Sequence, residues 1–257
     1  MSPQLDYIVR YAENREIFLL NYGDDFRAFD TISERMTESW ERLGKERDAG
    51  GASHAGLLAF ANILSRHAIL GFQHVASYQS YVGWFVFRPG LEALLLIGKF
   101  VDDVANATVW RNRNKEWRKY QDTFSGKKLI SKSLPRAQKF QEVLTRLNDN
   151  YMHPNPDFTY RDMTIQDEGS TLLVKIEFFD KRAEIHEAHV LAFLNLFDLI
   201  RQSSNSLISS ILGPPAREPQ PCPVYVKVNK ERARSLAGRN ALARKILEEL
   251  GLWEDLD

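Results

Sequence analysis

Apolar residues recur every three or four positions along most of this chain, which predicts a mainly helical protein. Phe26, Phe29, Ile32 and Met36 set the period in the second of two helices expected over the first 43 residues. Phe60, Leu64, Ala68, Val75 and Val82 carry it through a long helix over about 54–86. A further helix is expected to open at Pro89, since proline suits a first helical turn. Its stretch Leu91–Val101 is apolar on most sides and should lie at the centre of the core. A short basic, aromatic helix follows over 110–122. Leu134, Ala137, Phe140, Leu144, Leu147 and Tyr151 mark the buried stripe of the next, which should stop near His153 because Pro154 disfavours helical geometry in the residue before it.

The period then changes. Thr159–Ile165 and Thr171–Phe178 favour strands, with Asp167-Glu168-Gly169-Ser170 as the turn, so a β-hairpin over about 159–178 is expected. The helical period returns over 183–212 and stops at Gly213-Pro214-Pro215. Five prolines in 214–223 read as an extended linker. A short strand over Val224–Val228 and a basic helix over 229–250 complete the reading. The expected architecture is a helical bundle with one inserted β-hairpin and a C-terminal helical appendage. Residues 1–213 form its main domain, and 214–257 form the linker and last helix.

Charge adds a polarity that the net balance hides. Basic and acidic residues number 34 each, yet residues 110–139 hold ten Lys/Arg against Glu116 and Asp122 alone. The first 43 residues are acidic instead, with nine carboxylates and five bases. The single cysteine, Cys222, excludes an intrachain disulfide. No secretory leader opens the sequence, and Leu91–Val101 is too short for a bilayer. A cytoplasmic protein without a membrane partner is the expectation, and no cofactor is called for.

The segment Arg146-Leu147-Asn148-Asp149-Asn150-Tyr151-Met152-His153 carries the clearest chemistry. Seven residues are nearly two α-helical turns, so Arg146 and His153 should share one side, with Asp149 and Asn150 between them. Arginine holds phosphate oxygens through two hydrogen bonds, and histidine moves protons near neutral pH. The pair suits metal-independent phosphodiester cleavage; the alternative is an ordinary helix end whose polar groups cap one another. Arg88 and Glu92, four apart at the start of an apolar helix, are expected as a partly buried pair beside that site. Trp110-Arg111-Asn112-Arg113-Asn114-Lys115-Glu116-Trp117-Arg118-Lys119-Tyr120 interleaves cations with rings. Arg111, Arg113, Lys115, Arg118 and Lys119 are thus candidate nucleic-acid contacts, unless the rings are core anchors. His67 and His74 are too far apart for a helical zinc pair. His186 and His189 read as helix-surface residues. No metal site is expected.

Arg88-Pro89-Gly90-Leu91-Glu92 and Tyr151-Met152-His153-Pro154-Asn155-Pro156, followed by a hairpin and a final core helix, resemble the HEPN-like helical superfamily. The likeness is to a prokaryotic branch of unknown function, over roughly residues 54–212. HEPN ribonucleases carry an arginine, four to six residues, then histidine. Arg146 and His153 fit that spacing, while Leu147 stands where a polar residue is usual. The resemblance implies a homodimer with a shared cleft, acting on RNA in a defence or toxin-type system. The alternative is a non-catalytic module that binds a nucleotide, RNA or a protein, or an adaptor docking through 214–257.

Overall fold

The computed structural model describes residues 2–45, 52–152, 163–167, 169, 172–176, 179–213, 223–254 and 256. It is mainly helical. In chain order the helices are α1 (Pro3–Asn21), α2 (Gly23–Lys45), α3 (Ala52–Val75), α4 (Ser80–Asp102), α5 (Ala105–Arg111), α6 (Trp117–Phe124) and α7 (Ala137–Leu147). They continue as α8 (Ala183–Leu212), α9 (Pro223–Arg239) and α10 (Ala241–Gly251). A single π-helical turn, Asn148–Met152, extends α7. Between that turn and α8, two five-residue strands, β1 (Met163–Asp167) and β2 (Leu172–Ile176), pair antiparallel with Ile165 opposite Val174.

Helices α3 and α4 form an antiparallel hairpin, the most extensive helix contact in the fold. Their approach depends on two glycines that face each other. A Cβ on Gly71 would lie 2.9 Å from the Gly83 carbonyl oxygen, and one on Gly83 would lie 2.8 Å from that of Gly71. Helix α8 packs against α2 on one side and α10 on another. Aromatic rings fill the space between: Phe29 stacks on Phe72 at 4.1 Å and on Phe197 at 5.1 Å, and Phe193 meets Phe87 at 4.9 Å. Offset and tilted ring pairs of this kind add to the area they bury. The expected stripes are buried at Phe29, Ile32 and Met36 on α2 and at all six positions from Leu134 to Tyr151, while Phe26 and Val82 are half-buried.

Five expectations are corrected. The helix over 54–86 and the Pro89 start are replaced by a chain reversal at 76–79, which leaves Pro89 inside α4. No glycine or proline marks this reversal. Tyr78 adopts a left-handed φ of 60° and stacks on His186 at 3.8 Å, so a contact distant in sequence holds it. Proline in α4 removes a donor from the helix. The nearby Val86 carbonyl lies 2.7 Å from His67 Nδ1, which fixes that ring nitrogen as the protonated one.

The basic helix over 110–122 is broken by a turn at Asn112–Glu116 into the end of α5 and α6. The C-terminal segment is no appendage. Ala233, Leu236, Ala243 and Leu247 are at most 1 % exposed and belong to the same core as α8. The basic residues around them had masked this apolar stripe. Helix α9 already runs through Val224–Val228, and Asn240 ends it by capping α10, accepting from the amides of Leu242 and Ala243.

His186 and His189 are buried rather than on the surface. Trp84 Nε1 donates to His189 Nδ1 at 2.9 Å. Asp180 accepts from the Ser80 amide and hydroxyl, and lies 3.2 Å from His186 Nδ1. Burial by itself would raise the Asp180 pKa, but the His186 and Ser80 hydrogen bonds and the neighbouring histidines together bring it below its ordinary value.

By length and hydropathy, Ala55–Val75 passes for a membrane span, the one such stretch among the described residues. In this fold it is the partner of α4.

Candidate nucleic-acid interface

The outward side of α4 carries Phe85, Arg88 and Glu92, three and four residues apart. The inward side carries Trp84, Phe87 and Leu91, which are fully buried. Arg88 Nη1 donates to Glu92 at 2.6 Å, and Arg88 Nε donates to Asn148 Oδ1 at 2.9 Å. Both ends of the ion pair are half-buried. The expected partnership of Arg88 and Glu92 is therefore present, in mid-helix and not at a helix start. It joins α4 to the turn that carries the arginine–histidine motif. Tyr81 makes a second join: its hydroxyl donates to the Tyr151 carbonyl at 2.8 Å, and the two rings stack at 5.4 Å.

The π turn changes the expected motif geometry. It winds more slowly than an α-helix, so the two-turn register reckoned for Arg146 and His153 does not carry across Asn148–Met152. Arg146 is half-buried and donates through Nη1 to the Glu249 carbonyl at 2.7 Å. That carbonyl belongs to the last turn of α10, where intrahelical donors run out. The arginine thus ties α7 to the C-terminal helix. Asp149 is exposed and Asn150 half-buried. His153 lies outside the described residues.

Helix α6 extends the same surface. Tyr120 is half-buried against the core, and the charges of Glu92, Arg113 and Arg88 reach its hydroxyl. Burial, then Glu92, raises its hydroxyl pKa above the ordinary tyrosine value. Trp117 stacks on Tyr120 at 5.3 Å while 55 % exposed. It is therefore no core anchor. Arg113 lies over the Trp110 ring at 3.9 Å and also donates to the Trp110 carbonyl. Lys119 pairs with Glu116 at 3.5 Å. Arg111, Lys115 and Arg118 are exposed.

Phe85 and Met152 complete the surface, 45 % and 41 % exposed. Large apolar groups left open beside cations mark interaction sites more often than random surface does. Sequence reading missed Phe85 and Asn148 as site residues. Phe85 stands in the run Trp84-Phe85-Val86-Phe87, where hydrophobicity does not tell which ring turns outward. Asn148 lies off the Arg146–His153 side in an unbroken α-helical register, so spacing gives it no role. Among the described residues no group of carboxylates, histidines and cysteine is placed to hold a metal.

Comparisons with family models, with curated proteins and with solved structures find no match to this chain. The interface therefore rests on its own geometry.

Proposed function

We propose that this chain is a HEPN-like helical protein that binds single-stranded RNA across α4, α6 and the π turn. The observation that carries the reading is the exposed Trp117 stacked on Tyr120 amid the exposed Arg111, Lys115 and Arg118. Exposed rings stack on unpaired bases whatever their sequence, and arginines beside them hold the phosphates. Arg88, Arg113, Arg111, Lys115 and Arg118 supply the cations, and Trp117, Phe85 and Tyr120 supply the rings. Arg146 is engaged by the α10 carbonyl, which leaves the cations of α4 and of residues 111–118 as the phosphate-facing set.

The same proposal includes a cytoplasmic homodimer, the inserted hairpin over about 159–178 and a defence or toxin-type setting. His153 is its candidate proton-transfer residue and needs no metal. Asp149 and Asn150 are the residues that would orient it. The competing reading, an adaptor docking through 214–257, is weakened by Arg232: part of the supposed basic face, it is already paired with Asp25 and Glu187.

The test incubates wild type and His153→Ala with single-stranded RNA in EDTA, and measures binding and cleavage on the same samples. Binding by both proteins, with cyclic-phosphate products from wild type alone, is expected of a metal-independent ribonuclease. Binding by both without products leaves an RNA-binding module. Absence of binding in both overturns the proposal.

A further inference from the structure

A pocket of ≈ 410 Å³ opens between the second turn of α3, the C-terminal end of α4, α5 and the last turn of α8. Leu57, Phe60, Phe100, Val104, Trp110 and Ile211 are among its walls. Arg111 is the one charged residue that lines it among the described residues. Pockets that enclose whole small molecules run from about 300 to 1,000 Å³ and are mostly apolar, with a few polar groups that fix orientation.

Three observations set this pocket apart from a packing fault. The first is that its walls hold one another in place. Phe60 meets Phe100 edge-on at 5.3 Å and Trp110 edge-on at 5.0 Å, and the Arg113 guanidinium lies over the Trp110 ring. Leu57, Phe60 and Phe100 are buried, so the space is formed in advance of any occupant.

The second is Gly56, which lines the pocket from inside α3. A Cβ there would meet no atom within 4 Å, whereas at Gly71 and Gly83 it would strike the facing helix. Glycine weakens a helix interior relative to alanine. At Gly56 no close approach demands it, and its effect is to keep the space open.

The third is Arg111 itself. It is exposed and makes no hydrogen bond or ion pair among the described residues. Beside it Val104 is 68 % exposed, so the mouth joins an open apolar rim to an unused cation. Apart from Arg111 and the Trp110 indole nitrogen, no lining side chain carries a polar group. A ligand polar along its length would therefore lose hydrogen bonds to water without replacement. A chain with one anionic end would not.

We infer that this pocket binds a medium-chain fatty acid. The alkyl chain lies among Phe60, Phe100 and Trp110, and the carboxylate is held at the mouth by Arg111. Arg111 also belongs to the proposed RNA surface, but the inference does not rest on RNA binding, and no RNA enters its test.

The test titrates the full-length protein with decanoate, with decylammonium, which has the same chain and the opposite charge, and with acetate, which lacks the chain. Calorimetric binding and thermal stability are read together. Saturable decanoate binding is expected, about tenfold tighter than decylammonium. Acetate should not bind, since the affinity comes from buried methylenes. In Arg111→Glu the preference for decanoate over decylammonium should vanish or reverse. Gly56→Phe, which places a ring in the open space, should lose decanoate binding about tenfold or more while the circular dichroism spectrum is unchanged. The inference is overturned if wild type shows no saturable decanoate binding, or if it binds decanoate and decylammonium equally. It is overturned too if Arg111→Glu and Gly56→Phe both bind decanoate as wild type does.

Discussion

Two polar clusters lie against α4, and they differ in how completely their surroundings close over them. At its N-terminal end, Asp180 accepts from the Ser80 amide and hydroxyl and from His186. Tyr78 covers the His186 ring, and the Asp180 amide donates back to the Tyr78 carbonyl at 2.7 Å. Two turns further along, Arg88, Glu92 and Asn148 bond one another just as closely. Here the neighbouring Phe85, Trp117 and Met152 are left open. The first cluster fixes a chain reversal. The second resembles an interface lacking its other half. Hydrogen bonding alone does not separate structure from function in this helix; the exposure of the adjoining apolar groups does.

The sharpest way to separate the framework from either cluster is to remove a ring from the core. Phe72 packs against Phe29, Phe18 and Phe193 at 1 % exposure. Phe72→Ala is expected to cost about 3–5 kcal/mol in urea unfolding. A loss below about 1 kcal/mol would mean that the core collapses around the gap.

The closed cluster should come next. Asp180→Ala strips Ser80 and His186 of their shared acceptor and is expected to cost about 2 kcal/mol. Its acid dependence has a definite sign. The folded pKa of Asp180 lies below the ordinary 3.8. Its contribution is therefore complete above that value and is lost as pH falls through the folded pKa. Urea midpoints measured from pH 6 downward should decline in wild type, and the part due to Asp180 should be missing in Asp180→Ala. Parallel curves would show that the carboxylate contributes nothing.

Much of the framework was legible from period alone. Helix α8 was placed residue for residue, since Gly213 ends a clear apolar pattern. The α3–α4 reversal was not legible, because Tyr78 and its left-handed backbone are held by His186 more than a hundred residues away. The C-terminal helices were misjudged because arginines flank their apolar stripe, and one of them, Arg232, turns inward to Asp25 and Glu187. At the candidate interface, the Arg88–Glu92 pair and the basic, aromatic segment were readable as spacings. How the two lie in the fold was not, since it depends on the packing of Phe124 in α6 against Phe100 of α4. The role of Arg146 was misplaced for the same reason: its acceptor is a backbone carbonyl 103 residues away.

The smallest expected effect on stability accompanies the most informative one on binding. Trp117 is 55 % exposed and stacks on Tyr120, so Trp117→Ala should change unfolding free energy by no more than about 0.5 kcal/mol. The measurement that tests the RNA-binding surface most directly is fluorescence anisotropy of a labelled single-stranded oligouridylate, titrated with wild type and Trp117→Ala at two salt concentrations. The predicted result is saturable binding by wild type that weakens with salt, and a loss of about 1–3 kcal/mol of affinity in the variant. Equal affinities in the two proteins, or no binding by wild type at low salt, would contradict the account.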